Sequence, residues 1–209
     1  AHITRDEVGE LFEKDGISKD IGNHDPTYLT QCARYSLRQE FIEADAGMTG
    51  CNFGVASTGD CVVCTNEGNA DMSTSIPRLH IVSMGIDKVI PNYDALAVFQ
   101  RLLARSATGQ PSVSFTSQFR KARPGAEMHV ILVDNGRSNI IADQLHWRTA
   151  KCIRCGACMN TCPVYRRSMG YSYNYFIPGP IGINLGMVHN PKKHSGNVSA
   201  CSLCLSCDL

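Results

Sequence analysis

The sequence predicts an α/β domain followed by a small cysteine-rich module. As far as about residue 147, short segments rich in β-branched residues alternate with amphipathic segments, which is typical of an α/β layer with much parallel pairing. Beyond that point cysteine, glycine, proline and aromatic residues replace the alternation, and seven of the eleven cysteines lie within residues 152–209. We therefore predict one domain over residues 1–147 and a second over residues 148–209.

Two helices are predicted at the start of the chain. Residues 4–16 begin with a threonine cap and an acidic first turn and end at a glycine. Residues 25–47 begin with an aspartate cap and a proline at the first helical position, and apolar side chains recur every four residues from Leu29 to Phe41. Because Cys32 falls inside this second helix, we expect it to be a packing thiol rather than a metal ligand.

The strands of the α/β domain are predicted next. Residues 51–57 and 61–66 flank a Thr-Gly-Asp turn, which indicates a β-hairpin. The apolar run in residues 127–136 predicts a central strand that is buried on both faces. The remaining segments are predicted as strands over 78–85 and 88–91 and as helices over 92–106 and 138–148.

Cys61 and Cys64 have the C-x-x-C spacing that is common among metal ligands. On a strand, residues three apart point to opposite faces of the sheet, so these two thiols should diverge. We expect them to be structural, with a ligand pair as the alternative.

Composition narrows the function classes. The chain has 20 Lys and Arg against 19 Asp and Glu, which argues against binding to nucleic acid. No apolar run approaches the roughly 20 residues that cross a bilayer, and the first residues lack the pattern of a signal peptide. Cysteines grouped at two-residue spacings indicate ligands in a reducing compartment rather than disulfides. We therefore expect a cytoplasmic protein that neither spans a membrane nor binds nucleic acid.

The module contains two groups of cysteines. The first is followed by Pro163 and has the C-x2-C-x2-C-x3-C-P spacing of bacterial 4Fe-4S sites, in which three thiolates bind one cluster and the fourth binds another. The spacing thus predicts a second 4Fe-4S cluster bound by Cys162, Cys201, Cys204 and Cys207. The first cluster would be bound by Cys152, Cys155 and Cys158.

The first of these ligand sets lacks a fourth cysteine. The expected donor would lie just past Leu209, so we interpret the chain as a fragment of a longer protein. The intact protein would bind two clusters, and a fragment one or none. Structural zinc would leave three of the seven cysteines unused, and disulfides explain the two groups less well. Four aromatic residues between the groups would shield the clusters from water, namely Tyr171, Tyr173, Tyr175 and Phe176.

Five motifs resemble, in this order, those of the iron-sulfur subunit of the bacterial lactate-utilization complex. They are TNEGN (65–69), ARSATGQ (104–110), ILVDNGRS (131–138), CIRCGACMNTCPVYR (152–166) and PGPIG (178–182). The resemblance implies a LUD domain with a fold like that of the sugar-phosphate isomerase and CoA-transferase group, N-terminally incomplete over 1–147. It also implies a partial α-helical ferredoxin-type module, C-terminally incomplete over 148–209.

The same resemblance implies a role in electron transfer. The protein would work beside two sister subunits in oxidising L-lactate to pyruvate and would exchange electrons with a donor or acceptor protein. It would then be an electron-transfer subunit rather than a complete enzyme, and residue spacing assigns no catalytic group. The alternative is an α/β module that binds a small molecule and carries structural clusters or zinc.

Two polar turns follow predicted strands and are candidates for binding a small acid, because ligands of α/β sheets gather beyond the carboxyl ends of the strands. Ordinary turn chemistry is the alternative explanation of both. The candidate residues are Asn66, Glu67, Gly68 and Asn69 in the first turn and Asn135 and Arg137 in the second.

Overall fold

Residues 3–207 are described by a computed structural model, in which three strands form a parallel sheet. Residues 1–2 and 208–209, at the outer ends of the two predicted domains, lie outside this description. The strands are β1 (Ala46–Thr49), β2 (Phe53–Val55), β3 (Asp60–Thr65), β4 (Leu79–Gly85), β5 (Val89–Ile90), β6 (Phe115–Phe119) and β7 (Glu127–Val133). The helices are α1 (Arg5–Lys14), α2 (Pro26–Glu43), α3 (Asn69–Ser75), α4 (Tyr93–Thr108), α5 (Arg137–Ala142), α6 (Ala157–Thr161), α7 (Pro163–Ser168), α8 (Gly179–His189) and α9 (Pro191–Ser199).

The strands belong to two sheets. The parallel sheet has the order β1-β4-β7, and its crossovers contain helices, as parallel pairing requires. The second sheet has the order β5-β2-β3-β6 and is antiparallel except for the β2–β5 pair. The predicted α/β class and the predicted hairpin are therefore confirmed.

The main core lies between the second sheet and α4. This helix begins where the Asn92 side chain accepts a hydrogen bond from the Ala95 N–H at 3.1 Å, and it ends at Gly109, whose φ is +73°. Such a left-handed end favours glycine, because a side chain there would be strained. The buried side chains of this core are Phe53, Val55, Val62, Ile90, Leu96 and Leu103.

The two N-terminal helices begin as the sequence predicts. Thr4 and Glu7 form a capping box at the start of α1, and the Asp25 carboxylate accepts from the Tyr28 N–H at the start of α2. The apolar row of α2 does not become a buried face, because Leu29 is the buried residue of this helix and Leu37 is 52% exposed.

Strand β7 differs from its prediction. It was expected to be central, but within residues 3–207 it pairs with β4 alone and lies at the edge of the parallel sheet. Its apolar side chains are correspondingly exposed, with Ile131 at 49% and Leu132 at 58%. The composition of a strand indicates how it can be buried, whereas the neighbouring strands decide whether it is.

The thiols of Cys61 and Cys64 diverge, as predicted from their spacing on a strand. Cys61 packs with Cys51, Val82 and Met84 between the two sheets. Cys64 contacts the main core on the other face of β3.

The module after residue 147 is helical. A 3₁₀ helix over Trp147–Lys151 leads into α6 and α7, and α8 packs against α9. Gly182 permits the close approach of α8 to the preceding turn, because a Cβ atom at this position would lie 1.8 Å from the Ile177 carbonyl oxygen. No helix among residues 3–207 is long and apolar enough to span a lipid bilayer.

Candidate metal centre

Four cysteines line one cavity in the module. Cys162 precedes α7, whereas the other three follow α9, so the intervening helices fold the chain back on itself. The structure thus brings together the residues that the sequence assigns to one cluster, which are Cys162, Cys201, Cys204 and Cys207. The other walls are mostly apolar and include Val164, Tyr173, Pro180, Ile183 and Leu205.

Cys162 is positioned by the start of α7. Pro163 occupies the first helical position, where its missing N–H costs no hydrogen bond. Cys162 is the N-cap, and its sulfur accepts a hydrogen bond from the Tyr165 N–H at 3.4 Å. A helix start therefore fixes this thiol and supplies a donor to its sulfur.

The two cysteine loops, 152–158 and 201–207, share an unusual backbone. In the first loop the residues on either side of the middle cysteine have positive φ angles, +64° at Arg154 and +76° at Gly156. The second loop repeats this, with +54° at Leu203 and +59° at Leu205. Such alternation turns successive N–H groups toward one side, a geometry that favours an anion. Both loops are thus shaped to surround a negatively charged group.

The first loop is seated on the α/β domain. Ile153 and Cys155 pack against the main core, and the Asn160 amide donates to the Ser106 carbonyl at 2.5 Å. These contacts hold the loop against α4 and leave its thiols half-buried.

The charges of the two loops act on one another at Cys158. Burial raises the pKa of this thiol, whereas the Ile181 N–H, which donates to its sulfur, lowers it. Negative charge on Cys152, Cys155 and Cys207 raises the pKa further. Cys207 belongs to the second loop, so the two groups of thiols are near neighbours.

The second loop is more exposed than the first. The Ser206 N–H donates to Cys204 and is the main cause that lowers the pKa of that thiol. The Leu203 N–H donates to the Cys201 sulfur at 3.4 Å, and the Thr161 hydroxyl donates to the Ser206 carbonyl at 3.2 Å. The last contact ties the loop to α6.

Tyr173 is the aromatic residue that lines the cavity. It is 3% exposed, and burial, followed by the negative charge of Cys162, raises its pKa to about 12. No partner of its buried hydroxyl among the described residues lies within hydrogen-bond geometry, but the hydroxyl interacts with the side chain of Cys162. Of the other aromatic residues proposed to shield the clusters, Tyr171 and Phe176 are 79% and 70% exposed.

The donor set fits a group with several metal atoms. Within residues 3–207, no three Cys, His, Asp or Glu side chains lie close enough to one point to hold a single metal ion. Cys162 and the second loop surround a space instead, and their sulfurs receive backbone N–H groups. Thiolates around an apolar cavity with N–H donors to sulfur are the surroundings that protein-bound 4Fe-4S clusters require.

The predicted small-molecule turns lie apart. Arg137 donates through Nε to Asp87 at 2.6 Å and through Nη1 to the Asp134 carbonyl at 3.0 Å, so its charge is neutralised within the protein. Asn135 has a φ of +43°, a turn conformation that asparagine tolerates, so turn geometry accounts for an asparagine at this position.

In the first turn, the Asn66 side chain accepts from the Ser114 N–H at 3.5 Å, and Glu67 is exposed. Gly68 is the N-cap of α3. Only Asn69 lines a cleft, together with Lys88, which the sequence analysis missed. The available signal was a charged residue just beyond the carboxyl end of a predicted strand.

Both parts of the chain match known protein families. Residues 1–135 match the LUD domain family, and residues 148–209 match a 4Fe-4S dicluster domain. Among solved structures, a DUF162 family protein from Deinococcus radiodurans matches 46% of this chain and 57% of its own at 21% identity. Its TM-score is 0.31, a similarity on which no conclusion rests.

Curated relatives match almost the whole chain. Lactate utilization protein B of Bacillus pumilus is 41% identical over 99% of this chain and 44% of its own length. Lactate utilization protein B of Macrococcus caseolyticus is 43% identical over 87% of this chain and 39% of its own length. An uncharacterized electron transport protein of Escherichia coli is 40% identical over 90% of this chain and 41% of its own length. The chain spans less than half the length of these relatives. It belongs to the LUD domain family, and its cysteine-rich module is a 4Fe-4S dicluster domain that binds iron-sulfur clusters.

Proposed function

We propose that this chain is the electron-transfer part of an iron-sulfur subunit for lactate utilization, which takes up electrons released when L-lactate is oxidised to pyruvate. The observation that carries the proposal is the cavity lined by Cys162, Cys201, Cys204 and Cys207. The names of the curated relatives support the link to lactate and to electron transport.

In this proposal each cysteine has a ligand role. Cys162 and the second loop hold one cluster, and the first loop holds the other with a further ligand from outside these seven cysteines. When bound, a 4Fe-4S cluster takes up and releases one electron at a time. Oxidation of lactate to pyruvate releases two electrons and two protons, so two one-electron carriers match its stoichiometry.

The surrounding residues tune this role. The N–H groups of Tyr165, Ile181 and Leu203 donate to cysteine sulfurs and stabilise negative charge there, which favours the reduced state. The apolar wall around Tyr173 excludes water and opposes that effect. The Thr161 hydroxyl donates to the Ser206 carbonyl at 3.2 Å and so holds the second loop against α6, the helix that contains Cys158.

The proposed partners are sister subunits that bind and oxidise lactate and a protein that accepts the electrons. The proposed location is the cytoplasm, because free thiols grouped in this way persist in a reducing compartment. In this proposal the α/β domain does not carry out catalysis alone.

The test is electron paramagnetic resonance on the anaerobically purified full-length protein. We expect dithionite to produce reduced-cluster signals, and L-lactate to produce the same signals when the sister subunits are present. Clusters that never change oxidation state would instead support the small-molecule module with structural clusters. Zinc without acid-labile sulfide would overturn the cluster assignment itself.

A further inference from the structure

A cleft of mixed polar and apolar lining opens near the carboxyl end of the parallel sheet. Its floor is formed by the end of β1 and by Ser83 of β4, and its walls come from β3 and α3. Its volume is about 510 Å³, within the range of small-molecule sites. The polar residues that line it include Thr49, Asn52, Asn69, Ser73, Ser83 and Lys88.

Close packing of α3 on β1 shapes the cleft. A Cβ atom at Gly47 would lie 1.7 Å from the Ser73 carbonyl oxygen, so only glycine allows this approach. The contact places Asn69 and Ser73, which both lie on α3, over the end of β1. The cleft is therefore set by backbone packing rather than by a loose loop.

The described residues that line the cleft carry positive charge and no negative charge. Among the described residues that form it, Lys88 is the only charged one, and the others supply neutral hydroxyl, amide, thiol and apolar groups. Such a lining suits a small molecule with one negative charge and further hydrogen-bonding groups.

Lys88 forms no ion pair within residues 3–207. The adjacent Asp87 is occupied by Arg137 at 2.6 Å and by Arg154 at 3.7 Å. Among the described residues, no carboxylate forms an ion pair with Lys88 and no group accepts a hydrogen bond from it. Lys88 is half-buried, but its ammonium is not among the enclosed polar atoms that lack a partner, so it remains open to an anion in the cleft.

Electrostatic interactions link Lys88 to the first cysteine loop. The pKa of Lys88 is lowered first by burial and next by the positive charge of Arg154. Asp87 and negative charge on Cys51 and Cys152 act in the opposite direction. Arg154 lies inside the first loop and reaches Asp87, so the cleft and this loop are neighbours.

We infer that this cleft binds a small monocarboxylate through Lys88, beside the first cysteine loop. The charge class follows from the lining alone, whereas the choice of L-lactate or pyruvate as the occupant rests on the proposed function. Ser83 and the amide N–H groups of Asn52 can bond a hydroxyl or keto oxygen next to the carboxylate. The Thr49 hydroxyl is already bonded to the His80 Nε2 at 2.9 Å, and the Asn52 Oδ1 accepts from the Cys64 N–H at 2.9 Å.

The test is calorimetric titration of the anaerobic full-length holoprotein with L-lactate, pyruvate and the neutral analogue lactamide. We expect saturable binding of one or both acids, and binding of lactamide at least about tenfold weaker because the charge-assisted contact is lost. Lys88→Met should weaken acid binding by at least about tenfold. Lys88→Arg should weaken it less, and Lys14→Met, at an exposed position of α1, should leave it unchanged.

Three outcomes would overturn the inference: no saturable binding of either acid, equal binding of lactamide, or full affinity in Lys88→Met. If Lys88→Met does not fold, the comparison of acid with lactamide in the unsubstituted protein decides. Clusters that are reduced by lactate without binding in this cleft would refute the inference and leave the proposed function standing. Binding of either acid in this cleft, in a protein whose clusters never change oxidation state, would support the inference and refute the proposed function.

Discussion

The first cysteine loop is seated against the α/β core, whereas the second lies at the surface between α6 and α9. Their backbones alternate in the same way around Cys155 and Cys204. Their surroundings differ, because Ile153 packs into the main core while Leu203 is 78% exposed. Cysteine spacing thus specifies how a loop folds around a negatively charged group, and the seating of the loop decides how much water reaches that group.

The largest expected effect comes from the residue that joins the two loops. By position Cys162 continues the first loop, but in space it lies with the second. We expect Cys162→Ser to reduce iron from about eight to about four atoms per full-length protein, because one of two clusters loses a ligand. Iron and sulfide analysis measures this loss.

Spectra then decide which cluster is lost. Cys162→Ser should remove the same paramagnetic signal as Cys204→Ser and a different one from Cys152→Ser. Cys32→Ser, in α2, is the control and should keep both signals and all the iron. Loss of the Cys152-dependent signal in Cys162→Ser would contradict the spatial grouping.

The shared backbone can be broken at the glycine of the first loop. A Cβ atom at Gly156 would meet Met159 at 3.6 Å, an ordinary contact, so Gly156→Ala should be destabilising because of its positive φ rather than a clash. We expect a cost of about 1–2 kcal/mol, seen as faster release of iron to a chelator. Gly196→Ala, in α9 with open space around it, is the control and should not accelerate release.

The second loop allows the opposite change. Leu203 has a φ of +54° and is mostly exposed, so Leu203→Gly should relieve strain with little loss of packing. The relief is partly offset by the greater freedom of glycine in the unfolded chain, which leaves a gain of about 1 kcal/mol or less. Slower release of iron measures it.

Leu145→Gly is the control for this gain. Leu145 is 86% exposed and does not have a positive φ, so its replacement by glycine should stabilise nothing. Equal behaviour of the two glycine variants would show that the loops do not share the backbone described above.

Local signals in the sequence explain which features could be predicted. Cysteine spacing and Pro163 act over a few residues, so they predicted the grouping of the thiols, and the α/β class followed from equally local periodicity. Positive φ at Leu203 could not be predicted, because leucine normally avoids that region. The ion pair of Arg137 could not be predicted, because its partner, Asp87, lies 50 residues away in the sequence.

Features assembled from distant segments were missed or misplaced. The cleft around Lys88 combines residues from β1, β3, α3 and the turn after β4, and the TNEGN motif supplies only Thr65 and Asn69 of its lining. Whether β7 lies at an edge depends on how many strands pair with it. The apolar composition of β7 does not indicate how many do.

The smallest expected effect concerns the wall between the second loop and the rest of the module. The Tyr173 hydroxyl is buried beside Cys162 and interacts with the side chain of that cysteine, so it is placed to donate to this sulfur. We expect Tyr173→Phe to keep all the iron and to lower the reduction potential of the Cys162-dependent cluster only, because a donor that stabilises negative charge is lost. A redox titration followed by electron paramagnetic resonance measures this shift, with Tyr35→Phe, at a position 74% exposed on α2, as the control. An unchanged potential in Tyr173→Phe would show that this side chain acts through its apolar ring alone, and a shift in both clusters would show that the two loops are not tuned separately.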